Sequence, residues 1–238
     1  MYFHKAQGFI YNLLRNTSFE KLHDSPGYKF FCFSNFFPYS KTVKSGEEKF
    51  FLVSSPNNAF IDALFGKLSS IKDKQLPVFV GEMGFSLNEV KKVASKVKRD
   101  CWIDTATPVT LRIPAYNYAR YGLTQVQYRN GAFWRSEHSF EAFVKQVEEN
   151  LFKKFQEFYN LDLQAEPLIE SFKFKKSVSN RAIINGREQP IIGSVWNLKP
   201  MLHTGLQQKI WRFALDTGIG ERNPLGFGFV NVVKNGQS

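Results

Sequence analysis

The sequence predicts an α+β protein made of two ferredoxin-like (RRM-like) units in tandem, with a glycine-rich loop near the C-terminus. In the second half, apolar patterns follow the order β, α, β, β, α, β, which is that of a ferredoxin-like unit. The first half follows α, β, β, α, β and fits the same order if its opening strand is missing. A length of 238 residues suits one or two domains. We therefore predict domains at residues 1–100 and 101–238.

The first half opens with an amphipathic helix, whose apolar residues recur at helical spacing on one face. A Ser25-Pro26-Gly27 turn then precedes a phenylalanine-rich strand. Later, Pro56-Asn57-Asn58 leads into a second apolar stripe at helical spacing. The predicted elements are helices over 3–15 and 19–24, strands over 29–37 and 49–54, a helix after Asn58, and strands over 77–81 and 85–93.

The second half contains the clearest helical pattern of the chain, over residues 137–159. Its apolar stripe includes Phe140, Val147, Leu151 and Phe155. A charged patch at residues 96–100 precedes this half and suggests the domain boundary. The other predicted elements are a strand over 104–113, an irregular tyrosine-rich segment over 114–135, strands over 168–175 and 189–198, a helix over 203–216 and a final strand over 227–233.

The glycine-rich loop spans residues 218–228, between the last helix and the last strand. Its two Gly-x-Gly pairs bracket a polar turn, and its candidate binding residues are Gly218, Gly220, Arg222, Asn223, Gly226 and Gly228. Glycine permits positive φ and close approach, and successive exposed N–H groups form an anion-binding concavity. The order helix, loop, strand differs from that of Walker and dinucleotide loops. Two interpretations stay open: a connection that ends the helix at Gly218, or a loop that binds a nucleic-acid backbone.

Composition favours a polyanionic partner. The chain has 32 basic and 21 acidic residues, a net charge of +11. A membrane surface is the alternative, but no apolar run approaches the roughly 18 residues of a spanning helix. Cys32 and Cys101 lie far apart in apolar runs, which favours buried free thiols in a reducing cytoplasm. The sequence has no CxxC or HxxxH pair, so we expect no metal site and no cofactor.

A second group of basic residues extends the predicted nucleic-acid surface. In a strand, Lys173 and Lys175 point to one face, while Phe172, Phe174 and Lys176 point to the other. This stripe would follow a phosphate backbone, although a solvated sheet face is an equally simple interpretation. Further basic candidates are Arg181, Arg187 and Arg222.

Several stretches together resemble a known family, the CRISPR-associated endoribonucleases that cut precursor CRISPR RNA at each repeat. These stretches are QGFIYNLL, KLHDSPGYKFFCFS, DTATPVTLR, ENLFKKFQEFY and GIGERNPLGFG. The family belongs to the repeat-associated RNA-binding (RAMP) superfamily of tandem ferredoxin-like proteins. The resemblance implies metal-independent cleavage by the ribose 2′-OH, which leaves a 2′,3′-cyclic phosphate and a 5′-OH. It also implies repeat RNA as partner, with effector-complex subunits and a second copy of the chain as further partners.

The resemblance also implies three catalytic residues, Tyr11 in GFIYN, His23 in KLHDS and Lys29 in GYKFF. These residue types suit the chemistry: histidine transfers protons near neutrality, lysine supplies positive charge to the phosphate, and tyrosine donates a hydrogen bond. Without the resemblance, Tyr11 would be a core residue, His23 a surface or capping residue and Lys29 a strand-edge lysine. His203, which precedes the last helix, is a second histidine candidate near the loop.

One departure from the family concerns the N-terminus, where Met1 stands almost at the first helix instead of before a strand. Either the start is truncated, or the first unit lacks its opening strand, whose loss would expose a sheet edge. The alternative function is therefore a non-catalytic CRISPR RNA-binding protein of the same superfamily. A basic ribosomal or DNA-binding protein is a third interpretation, but it leaves the glycine-rich loop unexplained.

Overall fold

A computed structural model describes residues 2–40, 42–94, 96–98, 100–124, 132–184 and 187–234, apart from the side chains of 182–184, 187, 188 and 234. The helices are α1 (Phe3–Leu13), α2 (Asn58–Asp73), α3 (Phe140–Tyr159) and α4 (Gly205–Thr217). The strands are β1 (Cys32–Phe33), β2 (Val53–Ser54), β3 (Val78–Val80), β4 (Met83–Phe85), β5 (Cys101–Thr105), β6 (Arg112–Ile113), β7 (Ala132–Phe133), β8 (Ile169–Ile184), β9 (Arg187–Pro200) and β10 (Val230–Lys234). Short 3-10 turns lie at Glu20–His23, Ala115–Tyr121 and Asn223–Leu225.

The second half forms one four-stranded antiparallel sheet in the order β10-β5-β9-β8. With α3 after β5 and α4 after β9, this is the strand order of a ferredoxin-like unit, and it confirms the predicted fold class for this half. Its core packs α3 and α4 against the sheet, with Phe143 of α3 stacked on Trp196 of β9 at 4.7 Å between ring centroids. The sheet thereby fixes α3 and also α4, whose C-terminal end leads into the glycine-rich loop.

Side-chain caps explain where these helices begin. The Ser139 hydroxyl accepts a hydrogen bond from the Ala142 N–H at the start of α3. At the start of α4, Thr204 and Gln207 form a reciprocal capping box. The helix ends at Gly218, whose N–H donates to the Ala214 carbonyl. The bounds of α4 therefore follow from signals that are visible in the sequence.

The first half has the predicted order of elements but no continuous sheet. Within the described residues, its strands form two separate ribbons, β1 with β2 and β3 with β4. An aromatic core holds them against α1 and α2, for example through Phe31 stacked on Phe60 at 5.1 Å. The opening strand of a ferredoxin-like unit is absent from the described residues, and it would be a central strand of the sheet.

Several predicted strands differ from the structure. The strand predicted over 49–54 is reduced to Val53–Ser54, and the one predicted over 168–175 continues to Ile184. Of residues 29–37, only Cys32–Phe33 forms a strand, with an isolated bridge from Phe37 to Phe50. The strand predicted over 85–93 is wrong, because pairing ends at Phe85. The strand predicted over 104–113 is divided: β5 ends at Thr105, and Arg112–Ile113 pairs with β7 in another ribbon. Pro108 lies in the gap and lacks the N–H that a continuous ladder requires.

The division of the chain at residues 100 and 101 stays a prediction. Both thiols are free and buried, as the apolar context of Cys32 and Cys101 predicts. None of the helices that the structure describes is both long and apolar enough to cross a bilayer.

Candidate active site

Tyr11 and His23, twelve positions apart in the chain, lie in contact. Tyr11 is half-buried on α1, and its ring meets the edge of the His23 ring at 4.8 Å between centroids. His23 is the last residue of the 3-10 turn Glu20–His23 and is exposed. Phe31 packs edge-on against the other side of Tyr11, at 5.9 Å. The turn therefore folds back onto α1 and brings two of the predicted catalytic residues together.

Asp24 orients the imidazole of His23. The Asp24 Oδ1 atom lies 2.8 Å from the Nδ1 atom of His23. When Nδ1–H donates to a carboxylate, the lone pair of the neutral ring is on Nε2. The sequence analysis did not select Asp24, although its position next to the histidine in KLHDS was a visible signal.

Lys29 lies over the same turn. Its ammonium donates to the Ser25 carbonyl and, at 3.0 Å, to the Ser25 hydroxyl. Burial lowers the pKa of Lys29, and the nearby Asp24 carboxylate acts in the opposite direction. Asp24 also acts on Tyr11, so its charge reaches all three predicted catalytic residues. Of the three, only His23 is in hydrogen-bond contact with Asp24; Tyr11 and Lys29 are affected by its charge alone.

The Tyr11 hydroxyl stays protonated near neutral pH. Burial raises its pKa to about 12, against a smaller lowering effect of a hydrogen bond with Gln7. A phenol with this pKa donates a hydrogen bond at neutral pH and does not act as a base there. The environment therefore restricts Tyr11 to a donor or orienting role.

The segment after the turn connects this cluster to the second half of the chain. Phe30 packs against Phe158 of α3 at 5.1 Å and Phe213 of α4 at 6.3 Å. Burial raises the pKa of Tyr28, and the carboxylates of Glu157 and Glu221 raise it further. Since Glu221 belongs to the glycine-rich loop, the predicted catalytic segment and the loop lie at the same junction between the two halves.

The glycines of the loop are buried and closely packed. All four have positive φ: Gly218, Gly220, Gly226 and Gly228. A Cβ on Gly228 would lie 1.9 Å from the Ile219 carbonyl oxygen, and one on Gly226 would lie 2.8 Å from the ring of Phe33. Each position therefore requires glycine for both conformation and space.

The expected row of exposed N–H groups is wrong for most of the loop. Backbone N–H groups of Gly218, Ile219, Glu221, Leu225, Gly226 and Gly228 all donate to carbonyls within the protein. The interpretation of Gly218 as the end of α4 is correct. Contact of the loop with RNA stays a prediction, and its partly exposed residues are Glu221, Arg222, Pro224 and Leu225.

Arg222 lies at the tip of the loop in a left-handed conformation, with φ at 59°. Its guanidinium lies 6.0 Å from the centroid of the Phe133 ring. The buried Nε atom has no hydrogen-bond partner among the described residues. Burial lowers the pKa of Arg222, and the neighbouring Arg112 lowers it further while Glu221 raises it. Arg112, which the sequence analysis missed, pairs with Glu221 at 3.4 Å, so two guanidinium groups share this tip.

A buried lysine and asparagine hold the loop from inside. The ammonium of Lys154, on α3, donates to the carbonyls of Gly218 at 2.7 Å and Gly220 at 3.3 Å, and to Asn223 Oδ1 at 3.0 Å. The Asn223 amide donates in turn to the carbonyls of Ile219 and Phe227, both at 3.0 Å. Asn223, predicted to bind RNA, is buried and fixes the loop instead. The sequence does contain a feature that indicates burial of Lys154: it lies seven residues after Val147, within the apolar stripe of α3.

The predicted basic stripe lies on the sheet face opposite the core. Phe172 and Phe174 pack against Trp196, which confirms the alternation, while Lys173 and Lys175 are exposed. The Lys173 ammonium lies 5.1 Å from the centroid of the Trp102 ring, and Lys175 pairs with Asp104 at 2.8 Å.

Two further arginines were predicted to extend this stripe. Arg181 is exposed on β8, and the side chain of Arg187 lies outside the described residues. Their contact with RNA stays a prediction.

Other polar groups lie away from this junction. His203 precedes α4, whereas the loop follows it, and 13 helical residues separate the two by about 20 Å. The suggestion that His203 lies near the loop is therefore wrong. In the described part of the chain, no group of three or more His, Cys, Asp or Glu side chains is arranged to hold a metal ion.

Comparisons with known proteins agree on one family. The family model "CRISPR associated protein Cas6, C-terminal" matches residues 87–232. The chain is 34% identical over 242 residues to CRISPR-associated endoribonuclease Cas6 2 of Methanocaldococcus jannaschii, covering 97% of this chain and 92% of that protein. It is 27% identical over 243 residues to CRISPR-associated endoribonuclease Cas6 of Haloferax mediterranei, covering 98% of this chain and 87% of that protein.

Solved structures support the same fold. A structure described as CRISPR associated protein Cas6 superposes with a TM-score of 0.64 at 21% identity, covering 98% of this chain and 92% of that one. A Cas6-related protein from Pyrococcus furiosus gives a TM-score of 0.63 at 19% identity, with 98% and 91% covered. At these identities the likeness concerns the fold alone.

Proposed function

Because this chain belongs to the Cas6 family, we propose that it is a metal-independent endoribonuclease that cuts precursor CRISPR RNA within its repeats. The observation that supports this most is the cluster at the junction of the two halves. There Tyr11 contacts His23, and Asp24 lies within reach of His23 and acts on Lys29. The cluster supplies the proton donor or acceptor and the positive charge that metal-free cleavage requires.

In the proposed reaction, the ribose 2′-OH upstream of the scissile phosphate attacks phosphorus, and the bond to the 5′ oxygen breaks. The products are a 2′,3′-cyclic phosphate and a 5′-OH. Since Asp24 holds Nδ1, His23 uses Nε2 to accept the proton of the attacking 2′-OH and to return it to the leaving 5′ oxygen. Lys29 places positive charge on the non-bridging oxygens. Tyr11 donates a hydrogen bond that orients the ribose or phosphate, because its hydroxyl is protonated.

We assign RNA backbone binding to four basic side chains outside this cluster. Arg222 and Arg112 lie at the loop tip with Glu221, and Lys173 and Lys175 lie on the exposed sheet face. Lysine and arginine contacts of this kind bind phosphates without reading sequence. Effector-complex subunits, a homodimer and a cytoplasmic location remain parts of the proposal that the family resemblance implies.

A second candidate function is RNA binding without cleavage. The first half, which carries all three catalytic candidates, lacks its central strand in the described residues. Of the four basic residues assigned to RNA binding, by contrast, three lie on strands of the second half. These are Arg112, Lys173 and Lys175. A binding protein would need only that second group.

Cleavage is expected to survive chelation. The purified protein is incubated with a transcript of its own host's repeat in EDTA, and the products are resolved on a denaturing gel. We expect the same cut and rate as in Mg²⁺, because the mechanism relies on side chains alone. If EDTA abolishes cleavage and added Mg²⁺ restores it, the mechanism is contradicted. Tight binding without cutting under either condition would support the second candidate function.

A further inference from the structure

The ammonium group of Lys154 forms no ion pair with a carboxylate of the described residues. Its side chain is 2% exposed, and its three hydrogen-bond acceptors are two carbonyls and an amide oxygen, all neutral. Among the described residues no carboxylate lies within ion-pairing distance of the ammonium. A buried ammonium that only neutral groups solvate is costly. The chain thus retains a charge at a position where the helix stripe would otherwise be apolar.

The position of this charge is directly under the predicted RNA-binding loop. The two carbonyls belong to the first Gly-x-Gly pair, and Asn223 bridges from there to Phe227 in the second pair. One ammonium therefore organises both pairs. The Glu221 carboxylate in the polar turn of the loop interacts with this charge, and charges interact more strongly at a buried site than in water.

We propose that Lys154 is a positioning residue for RNA binding, whose buried ammonium holds the loop in shape and is balanced by the phosphate backbone of the bound RNA. This inference rests on the proposed function, since it takes repeat RNA as the ligand. By linkage, RNA binding and protonation of Lys154 favour each other to the same extent. RNA binding should then take up a proton at any pH at which Lys154 of the free protein is neutral.

The surroundings of Lys154 determine its pKa and therefore the pH range in which RNA binding takes up a proton. Burial lowers its pKa to about 7, while the Cys32 thiol of β1 and the Glu221 carboxylate of the loop act against that shift. Asp216, at the end of α4, has its own pKa raised to about 6 by burial. At pH 8 most free Lys154 is neutral, and a bound polyanion raises its pKa, so a proton is taken up. At pH 6 Lys154 is already charged in the free protein, so its proton uptake disappears while its effect on affinity remains.

The test is calorimetric titration of repeat RNA in buffers of different ionisation enthalpy, at pH 8 and pH 6. A His23→Ala background slows cleavage and removes that imidazole as a source of protons. We expect uptake approaching one proton at pH 8. Lys154→Met should abolish this uptake and weaken binding at pH 6 by about tenfold, within the usual range of coupling between sites. Lys153→Met, on the exposed side of the same turn, is the matched control and should keep the uptake.

Asn223→Asp keeps the test decisive if Lys154→Met does not fold. The new carboxylate would pair with the ammonium, so Lys154 would be charged before RNA binds and the uptake at pH 8 should vanish. RNA binding without uptake, or uptake that persists in both variants, would overturn this inference and leave the proposed function intact. Failure of the parent protein to bind repeat RNA would overturn both.

Discussion

Replacement of His23 by alanine is expected to slow repeat cleavage by about 10²–10⁴-fold, the usual contribution of one positioned acid or base. The affinity for RNA should change little, because His23 is exposed on its turn and the basic side chains proposed to bind phosphate are other residues. Single-turnover rates with excess enzyme, together with a filter-binding measurement, separate these two quantities.

Two further variants make this result specific to the site. Asp24→Asn keeps the shape but removes the carboxylate that holds Nδ1, so its rate should lie between wild type and His23→Ala. His4→Ala, at an exposed histidine of α1, is the matched control and should cut normally. If His23→Ala cuts at the wild-type rate, the role of His23 is wrong.

Gly228→Val is expected to destabilise the protein strongly. The new Cβ would lie 1.9 Å from the Ile219 carbonyl oxygen, at a residue with φ of +70°. Overpacking costs about 1–3 kcal/mol and a left-handed conformation about 1–2 kcal/mol, so we expect a loss of roughly 2–5 kcal/mol in the free energy of unfolding. Urea denaturation followed by tryptophan fluorescence measures the change.

The control for this substitution is Gly8→Ala in α1, where a Cβ meets nothing within 4 Å. Alanine in an exposed helix position should stabilise the protein by about 0.5–1 kcal/mol. A Gly228→Val protein as stable as the wild type would show that the loop is not packed as described. The glycine-rich sequence would then have to be explained by contact with RNA and not by packing.

Periodic patterns and caps predicted the second half well. The stripes of α3 and α4 and the hairpin strands β8 and β9 follow from local sequence, because each element carries its own apolar face and turn signals. Short strands were harder to predict. Residues 85–93 have a strand-like composition, but a strand requires a partner, and among the described residues none pairs with them beyond Phe85.

Only part of the candidate site was predicted, because residues whose roles depend on distant contacts carry no local sequence signal of those roles. Tyr11, His23 and Lys29 came from family resemblance; the structure brings Tyr11 against His23, His23 against Asp24, and Lys29 onto Ser25. Lys154 and Arg112 were missed because their roles depend on contacts with the loop, far away in sequence. The loop itself was misjudged: its glycine spacing indicated free N–H groups, but packing against Thr110, Pro108 and Phe33 uses the space and the donors.

The central claim is that the RNA provides its own nucleophile. The most direct measurement is cleavage of repeat RNA that carries a single 2′-deoxy residue immediately upstream of the cut. We expect no cleavage and nearly unchanged binding, since one missing hydroxyl removes at most a hydrogen bond of about 1 kcal/mol. The upstream product of native RNA should end in a cyclic phosphate. Cleavage of the deoxy substrate to a linear end would show that water attacks, and would contradict the roles of Tyr11, His23 and Lys29.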